Sequence, residues 1–146
     1  MHTIVRHLLE VKGYNIWSIS PSASVYDALR MMSMKDVGAL IVLEGDKMVG
    51  ILSERDYARK VVLLGKTSRE TTVSEIMSTK VFSVHPDQTL EEAMELMNSK
   101  RIRHLPVVED GNEHNVLGVI SIGDVVRAII YKQREAIKSL EDKVLK

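Results

Sequence analysis

Apolar residues return at helical and strand periods along this chain, and they do so in the same order twice. Ile4, Val5, Leu8, Leu9 and Val11 recur at the spacing of one helical face and stop at Gly13, which predicts an amphipathic helix over the first dozen residues. A short strand follows over 16–19, closed by Ser20-Pro21. Ser24 is placed to cap a helix over 25–35 whose inner face carries Val25, Ala28, Leu29, Met31 and Met32. The aliphatic run 40–43 reads as a buried strand, Glu44-Gly45-Asp46-Lys47 as a hairpin turn and 48–52 as the returning strand. Ser53 then opens a helix that runs through Asp56 to about residue 64. The order repeats as a strand over 81–84, a helix over 89–99, strands over 105–108 and 116–120, and a helix from Ser121 into the tail. In that tail Ile137, Leu140 and Val144 are spaced among charges, as in a helix end that packs weakly or against a partner.

Each unit therefore reads β-α-β-β-α, and the fold class is mixed α/β with pseudo-two-fold symmetry. The expected division is 1–73 for the N-terminal helix and first unit, and 74–146 for the second unit and C-terminal helix. Side chains confirm the duplication. Ser18, Pro21, Ala28, Met32, Lys35, Leu40 and Val42 match Ser83, Pro86, Ala93, Met97, Lys100, Leu105 and Val107 at a spacing of 65. Gly50, Ser53, Asp56 and Arg59 match Gly118, Ser121, Asp124 and Arg127 at 68. The three extra residues fall in the polar stretch 110–115, where a loop would tolerate insertion. Units of about 45 residues are too small to bury a good core singly, so the two should pack together.

Composition narrows the function. Twenty basic residues balance twenty acidic ones, so no global field draws the chain to nucleic acid or anionic lipid. The absence of Cys excludes disulfides, thiol catalysis and Cys-based metal sites. No apolar run approaches the ~20 residues of a membrane span. The first residues, Met1-His2-Thr3-Ile4-Val5-Arg6-His7, lack the apolar core of a signal peptide, so a soluble cytoplasmic protein is expected.

The repeated polar residues invite two readings. Ser53 and Ser121 stand between a strand and a helix, with Asp56 and Asp124 three positions on. Serine and carboxylate at that spacing cap a helix and sit well in its positive first turn. The same exposed N–H groups and hydroxyl also suit a phosphate. Both readings stay open on the residues alone.

The ordered set of motifs resembles a tandem pair of CBS domains, the module named after cystathionine β-synthase. The elements that carry the likeness are Ser-x-x-Pro, Ala-x-x-x-Met, Arg103-His104-Leu105-Pro106-Val107 and the two Gly-x-x-Ser-x-x-Asp segments, together spanning about 16–130. The resemblance implies a stand-alone regulatory module that binds an adenosine nucleotide (AMP, ADP, ATP or NAD(H)) between its two units as an energy or redox sensor. The Asp would take the ribose hydroxyls and the Ser a phosphate. It further implies a first site joining Val119, Ser121, Gly123 and Asp124 to Ile16, Val37, Gly38 and Ala39. Ile16 and Val37 would sandwich adenine there, with Gly38 and Ala39 offering backbone groups to its edge. The second site would join Ile51, Ser53, Arg55 and Asp56 to Val81, Ile102, Arg103 and His104. Arg55 and Arg103 favour more phosphate charge at the second site, whereas the glycines and alanine leave the first roomier and less charged. The family also pairs into homodimeric discs through its helices, so a homodimer is expected, together with a regulated protein that the sequence does not identify.

Other conspicuous residues have plainer explanations. The five His show no ligand spacing and no acidic cluster joins them, so no metal site is expected. Met32, Met94 and Met97 fall on core positions, and Trp17 and Phe82 are matched packers. Arg59 and Arg127 follow each Asp by three residues and could bridge it along the helix. No nucleophile–base pair or carboxylate pair in one pocket is evident, so an enzyme is not expected. A ligand-free interaction scaffold is the main alternative. A nucleic-acid binder using the Lys100, Arg101 and Arg103 cluster is the weaker one, because net charge is zero.

Overall fold

The computed structural model describes residues 3–144; Met1, His2, Leu145 and Lys146, one of the five His among them, lie outside the described residues. Twelve segments follow in order: α1 (Val5–Lys12), β1 (Ser18–Ile19), α2 (Val25–Lys35), β2 (Ala39–Glu44), β3 (Lys47–Ser53), α3 (Glu54–Tyr57) continuing as a π-type turn (Ala58–Val62), α4 (Val73–Ile76), α5 (Leu90–Lys100), β4 (His104–Glu109), β5 (Asn112–Ser121) and α6 (Ile122–Val144). The mixed α/β class expected from the sequence is what forms.

Matched local chemistry builds the matched elements. Ser24 Oγ accepts the Asp27 N–H at 3.0 Å and Thr89 Oγ1 accepts the Glu92 N–H at 3.1 Å, which starts α2 and α5 at equivalent places. Both helices end in the left-handed region, at Asp36 (φ 53°) and Arg101 (φ 55°). Neither residue is glycine, so both turns carry a small backbone cost, and the packing around the following strands maintains it. Lys35 lies over the Trp17 ring at 4.5 Å and Lys100 over the Phe82 ring at 5.0 Å, so even the cation–π pair is duplicated.

β1, β2 and β3 form one sheet, with β1 parallel and β3 antiparallel to β2; β4 and β5 form the other, antiparallel. The strand expected over 81–84 is absent, reduced to a single parallel bridge between Val84 and Val107. Its counterpart in the first unit is held partly by the Ile41 N–H donating to the Trp17 carbonyl at 3.1 Å. The residue equivalent to Ile41 is Pro106, which has no N–H to give Phe82. The loop expected over 110–115 also differs. The turn is only Asp110-Gly111, with Gly111 at φ 81°, and β5 begins at Asn112. Glu109 pairs with Asn112 and Val108 with Val116, so the insertion is the bulge Glu113-His114-Asn115. From it the His114 ring reaches the Met48 carbonyl at 3.1 Å, tying the second hairpin to the first.

The terminal and linker helices cross over between units. Val5, Leu8 and Leu9 of α1 are buried with Val84, Leu90, Ala93, Met97, Leu105, Val107, Ile120 and Val125 of the second unit. Val73 and Ile76 of α4 are buried with Val25, Ala28, Met32, Leu40, Val42, Leu52 and Val61 of the first. By packing, α1 thus completes the second unit although it precedes the first. A third cluster joins the sheets: Ile41, Met48 and Val108, with Ile16, Ile51, Val81 and Val119 against it.

Two glycines let these crossings close. A Cβ on Gly50 would lie 2.8 Å from Met77 Sδ and 3.0 Å from the Ser78 carbonyl oxygen, whereas one on Gly118 would lie 2.8 Å from the Leu9 side-chain tip. A carbonyl on a paired backbone yields less than a methyl group. Gly50→Ala should therefore cost about 1–3 kcal/mol and Gly118→Ala less. Urea unfolding of the two variants measures this, and equal costs would contradict the packing described.

Candidate functional site

Ser53 and Ser121 end their strands, and the chain turns at once into α3 and α6. Both carboxylates complete caps at these junctions. Asp56 Oδ2 accepts the Ser53 N–H at 2.9 Å and Oγ–H at 3.1 Å, and the Asp56 N–H donates to Ser53 Oγ at 3.2 Å. Asp124 Oδ2 accepts the Ser121 N–H at 2.9 Å, and the Asp124 N–H donates to Ser121 Oγ at 3.2 Å. The two aspartate side chains are only 14% and 12% exposed. Capping is therefore real at both positions.

Each carboxylate is also covered by a cation, and the two cations come from different places. Lys60 Nζ lies 3.3 Å from Asp56 Oδ1 and donates to the Ile76 carbonyl at 2.9 Å. Lys60 takes the part that the spacing assigned to Arg59. The π-type turn over Ala58–Val62 explains this, because a wider turn brings the fourth residue onward, not the third, back over Asp56. In α6 the turn is regular, and Arg127 Nη2 reaches Asp124 Oδ1 at 2.8 Å as expected. Lys12, the last residue of α1, donates to Asp124 Oδ2 and to the Val119 carbonyl, both at 2.6 Å. Lys12 belongs to no repeat motif, so nothing in the sequence pattern singled it out. It arrives because α1 docks on the second unit.

Lys12 adds to what was expected of the first site. Lys12 and Arg127 put two cations on Asp124, and the His104 ring crowds one side of Gly38. A Cβ on Gly38 would lie 3.2 Å from His104 Cε1. His104 was assigned to the second site, yet its ring stands against Gly38 and feels Lys12 and Asp124, on the first site's side. Arg103 lies in the bend just before β4, which begins at His104.

The remaining residues divide by surroundings. Ile16 and Val119 of the first site share the cluster between the sheets, as do Ile51 and Val81 of the second. Val37 packs in the first unit's core and Ile102 in the second's. The Glu54 N–H donates to the Gly38 carbonyl at 3.1 Å, and the Ile122 N–H to the Arg103 carbonyl at 2.8 Å, so in each unit the α-to-β turn is tied by backbone to the helix start that follows its own hairpin. Ala39 pairs with Ser53 in the first sheet. Gly123 lies beside the Arg127 guanidinium, which a Cβ there would meet at 3.1 Å. Arg55 Nη1 donates to the Arg101 carbonyl at 2.6 Å and so bridges from α3 to the end of α5. An open hollow of about 600 Å³ is lined by Val37, Gly38, Asp36, Glu54, Tyr57 and Met32; neither Asp56 nor Asp124 reaches it.

The family model for the CBS domain matches residues 10–63 and again 73–131. The chain belongs to the CBS domain family. The CBS domain-containing protein CBSX3, mitochondrial, of Arabidopsis thaliana is 42% identical over 148 residues, covering 94% of this chain and 70% of that protein. A solved CBS domain structure, NE2398, is 43% identical, with a TM-score of 0.83 over 89% of this chain and 99% of that one. The CBS domain pair of protein MJ0100, solved with 5′-methylthioadenosine and S-adenosylmethionine, shares the fold at 23% identity and a TM-score of 0.78, over 90% of this chain and 99% of that one. No helix among the described residues is long and apolar enough to cross a membrane.

In this CBS pair two partly buried groups beside the first site respond to acid. Burial pushes the Asp124 carboxyl up, but the Lys12 ammonium and the Ser121 donors outweigh it, so it titrates below the ordinary range. Burial, then the charge of Lys12, holds His104 below its ordinary 6.5, with Asp124 opposing. In both cases the unfolded chain binds the proton more readily, so stability rises with pH. The His104 contribution falls away as pH drops below about 6.5, and that of Asp124 only below about 4. Urea midpoints should decline in these two steps, and His104→Gln should remove the upper one alone. A midpoint unchanged between pH 7 and 5 in the unmodified protein would contradict the burial of His104.

Proposed function

We propose that this CBS pair is a regulatory binding module for adenosine nucleotides (AMP, ADP, ATP or NAD(H)), held between its two units, and that it serves as an energy or redox sensor. The observation that carries the reading is the duplicated Ser–Asp junction, where a nearly covered carboxylate stands beside backbone donors and cations at both Ser53–Asp56 and Ser121–Asp124. Such a carboxylate offers acceptors for a ribose diol, while Lys12, Arg127, Lys60 and Arg55 supply charge for phosphates. The adenosine-containing ligands of the MJ0100 pair agree in class. The module is a binder and not an enzyme in this reading, it works in the cytoplasm, and it associates as a homodimer with a regulated protein still to be found.

Each Asp124 and Asp56 oxygen already has donors, so a diol must displace some of them, Arg127 at Asp124 and Lys60 at Asp56 being the most exposed cations. This favours the ligand-free scaffold as the second reading. Calorimetric titration with AMP, ADP, ATP and NAD separates the two: saturable binding supports the sensor, and silence from all four supports the scaffold. The sites should also differ. Arg55→Ala should weaken ATP or ADP by roughly tenfold while leaving AMP nearly unchanged, since the guanidinium adds one charge-assisted contact beyond the first phosphate. Identical affinities unaffected by that change would remove Arg55 from the site.

A further inference from the structure

α6 outruns the body from which it grows. Val125 is its one fully buried residue, and every residue over 131–144 is exposed. Helices in proteins draw most of their stability from packing an apolar face, and this segment packs none of its own on the body. Val126, Ile130, Ile137, Leu140 and Val144 are the exposed apolar residues of the helix face in question, the last three at 55%, 62% and 82%. With Gln133 they occupy positions 126, 130, 133, 137, 140 and 144, alternating steps of four and three, the seam of a two-helix coil. Ile137, Leu140, Glu141 and Val144 line one shallow apolar groove along it.

The charges beside the seam specify the occupant. Arg134 and Glu141 flank the same side one heptad apart. When this helix lies antiparallel on a second copy of itself, Arg134 of each copy comes opposite Glu141 of the other, and two-fold symmetry makes the ion pair twice. A parallel pair would instead set Arg134 beside Ile129 and Glu141 beside Ala136, with no ion pair. The outer face mixes Lys132 and Lys138 with Glu135 and Asp142, which gives an anionic lipid surface little to hold.

We propose that the α6 segment 126–144 pairs antiparallel with the same segment of a second copy of this chain, Ile137 of each packing on Leu140 of the other. The inference rests on the self-association named above but not on nucleotide binding, and most of its surface lies beyond residue 131, where the second CBS match ends. Sedimentation of the full chain tests it. Arg134→Glu and Glu141→Arg should each weaken association roughly tenfold, because two attractions become repulsions, and the double variant should restore it. The chain has no Cys, so introduced thiols report orientation cleanly. Mixed Gln133→Cys and Val144→Cys chains should cross-link to each other and neither to itself. Reversal without rescue, self-cross-linking of either variant, or a monomer that binds phosphatidylglycerol vesicles would each overturn the proposal.

Discussion

Replacing both carboxylates, Asp56→Ala together with Asp124→Ala, should lower adenosine-nucleotide affinity at least about a hundredfold in calorimetric titration. A hydrogen bond from a hydroxyl to a charged acceptor contributes about 1.5–3 kcal/mol, and a diol makes two per site, so about 3 kcal/mol or more is lost. That corresponds to a factor of about 100 or greater. The same residues cap α3 and α6, and losing a cap costs about 1 kcal/mol of folding stability. Unfolding curves on the double variant separate the two effects. A folded double variant with undiminished affinity would assign both carboxylates to capping alone and leave the scaffold reading in place.

Leu9→Ala is expected to be the most damaging single core change near the site. Leu9 is 1% exposed and lies among the second unit's core residues, with its tip over Gly118. Truncating a leucine in such a place costs about 2–5 kcal/mol, a large share of the roughly 5–15 kcal/mol that holds a domain. Its effect should also reach Asp124, because α1 delivers Lys12. With α1 loosened, the Lys12 ion pair weakens and the Asp124 carboxyl should rise toward its ordinary value, which NMR titration would detect. Val11→Ala, two residues on in the same helix but 88% exposed, should do neither. If Leu9→Ala leaves the unfolding free energy from urea titration within about 0.5 kcal/mol of the parent, α1 is not docked as described.

What the sequence revealed was whatever depends on near neighbours. The caps at Ser24, Ser53 and Ser121, the hairpin at 44–47 and the apolar faces of α2 and α5 all follow from residues within one or two turns of each other. The repeat offset then paired them. Three features escaped because their causes lie elsewhere in the chain or in a single changed atom. The lost strand over 81–84 traces to the missing N–H of Pro106, more than twenty residues away. Lys60 replaced Arg59 because a π-type turn changed the angular step. Lys12 reached Asp124 across 112 positions through helix docking, which no local pattern encodes. α4 was missed with less excuse: Thr72 and Glu75 form a capping box, and that spacing was visible in the sequence.

A crystal structure grown with the tightest-binding adenosine nucleotide bears most directly on the ribose–carboxylate contact. The account predicts both ribose hydroxyls at about 2.7 Å from Asp56 or Asp124, with Lys60 or Lys12 drawn away from the carboxylate toward phosphate. A nucleotide bound elsewhere, with both aspartates still closed on their serines and lysines, would contradict it.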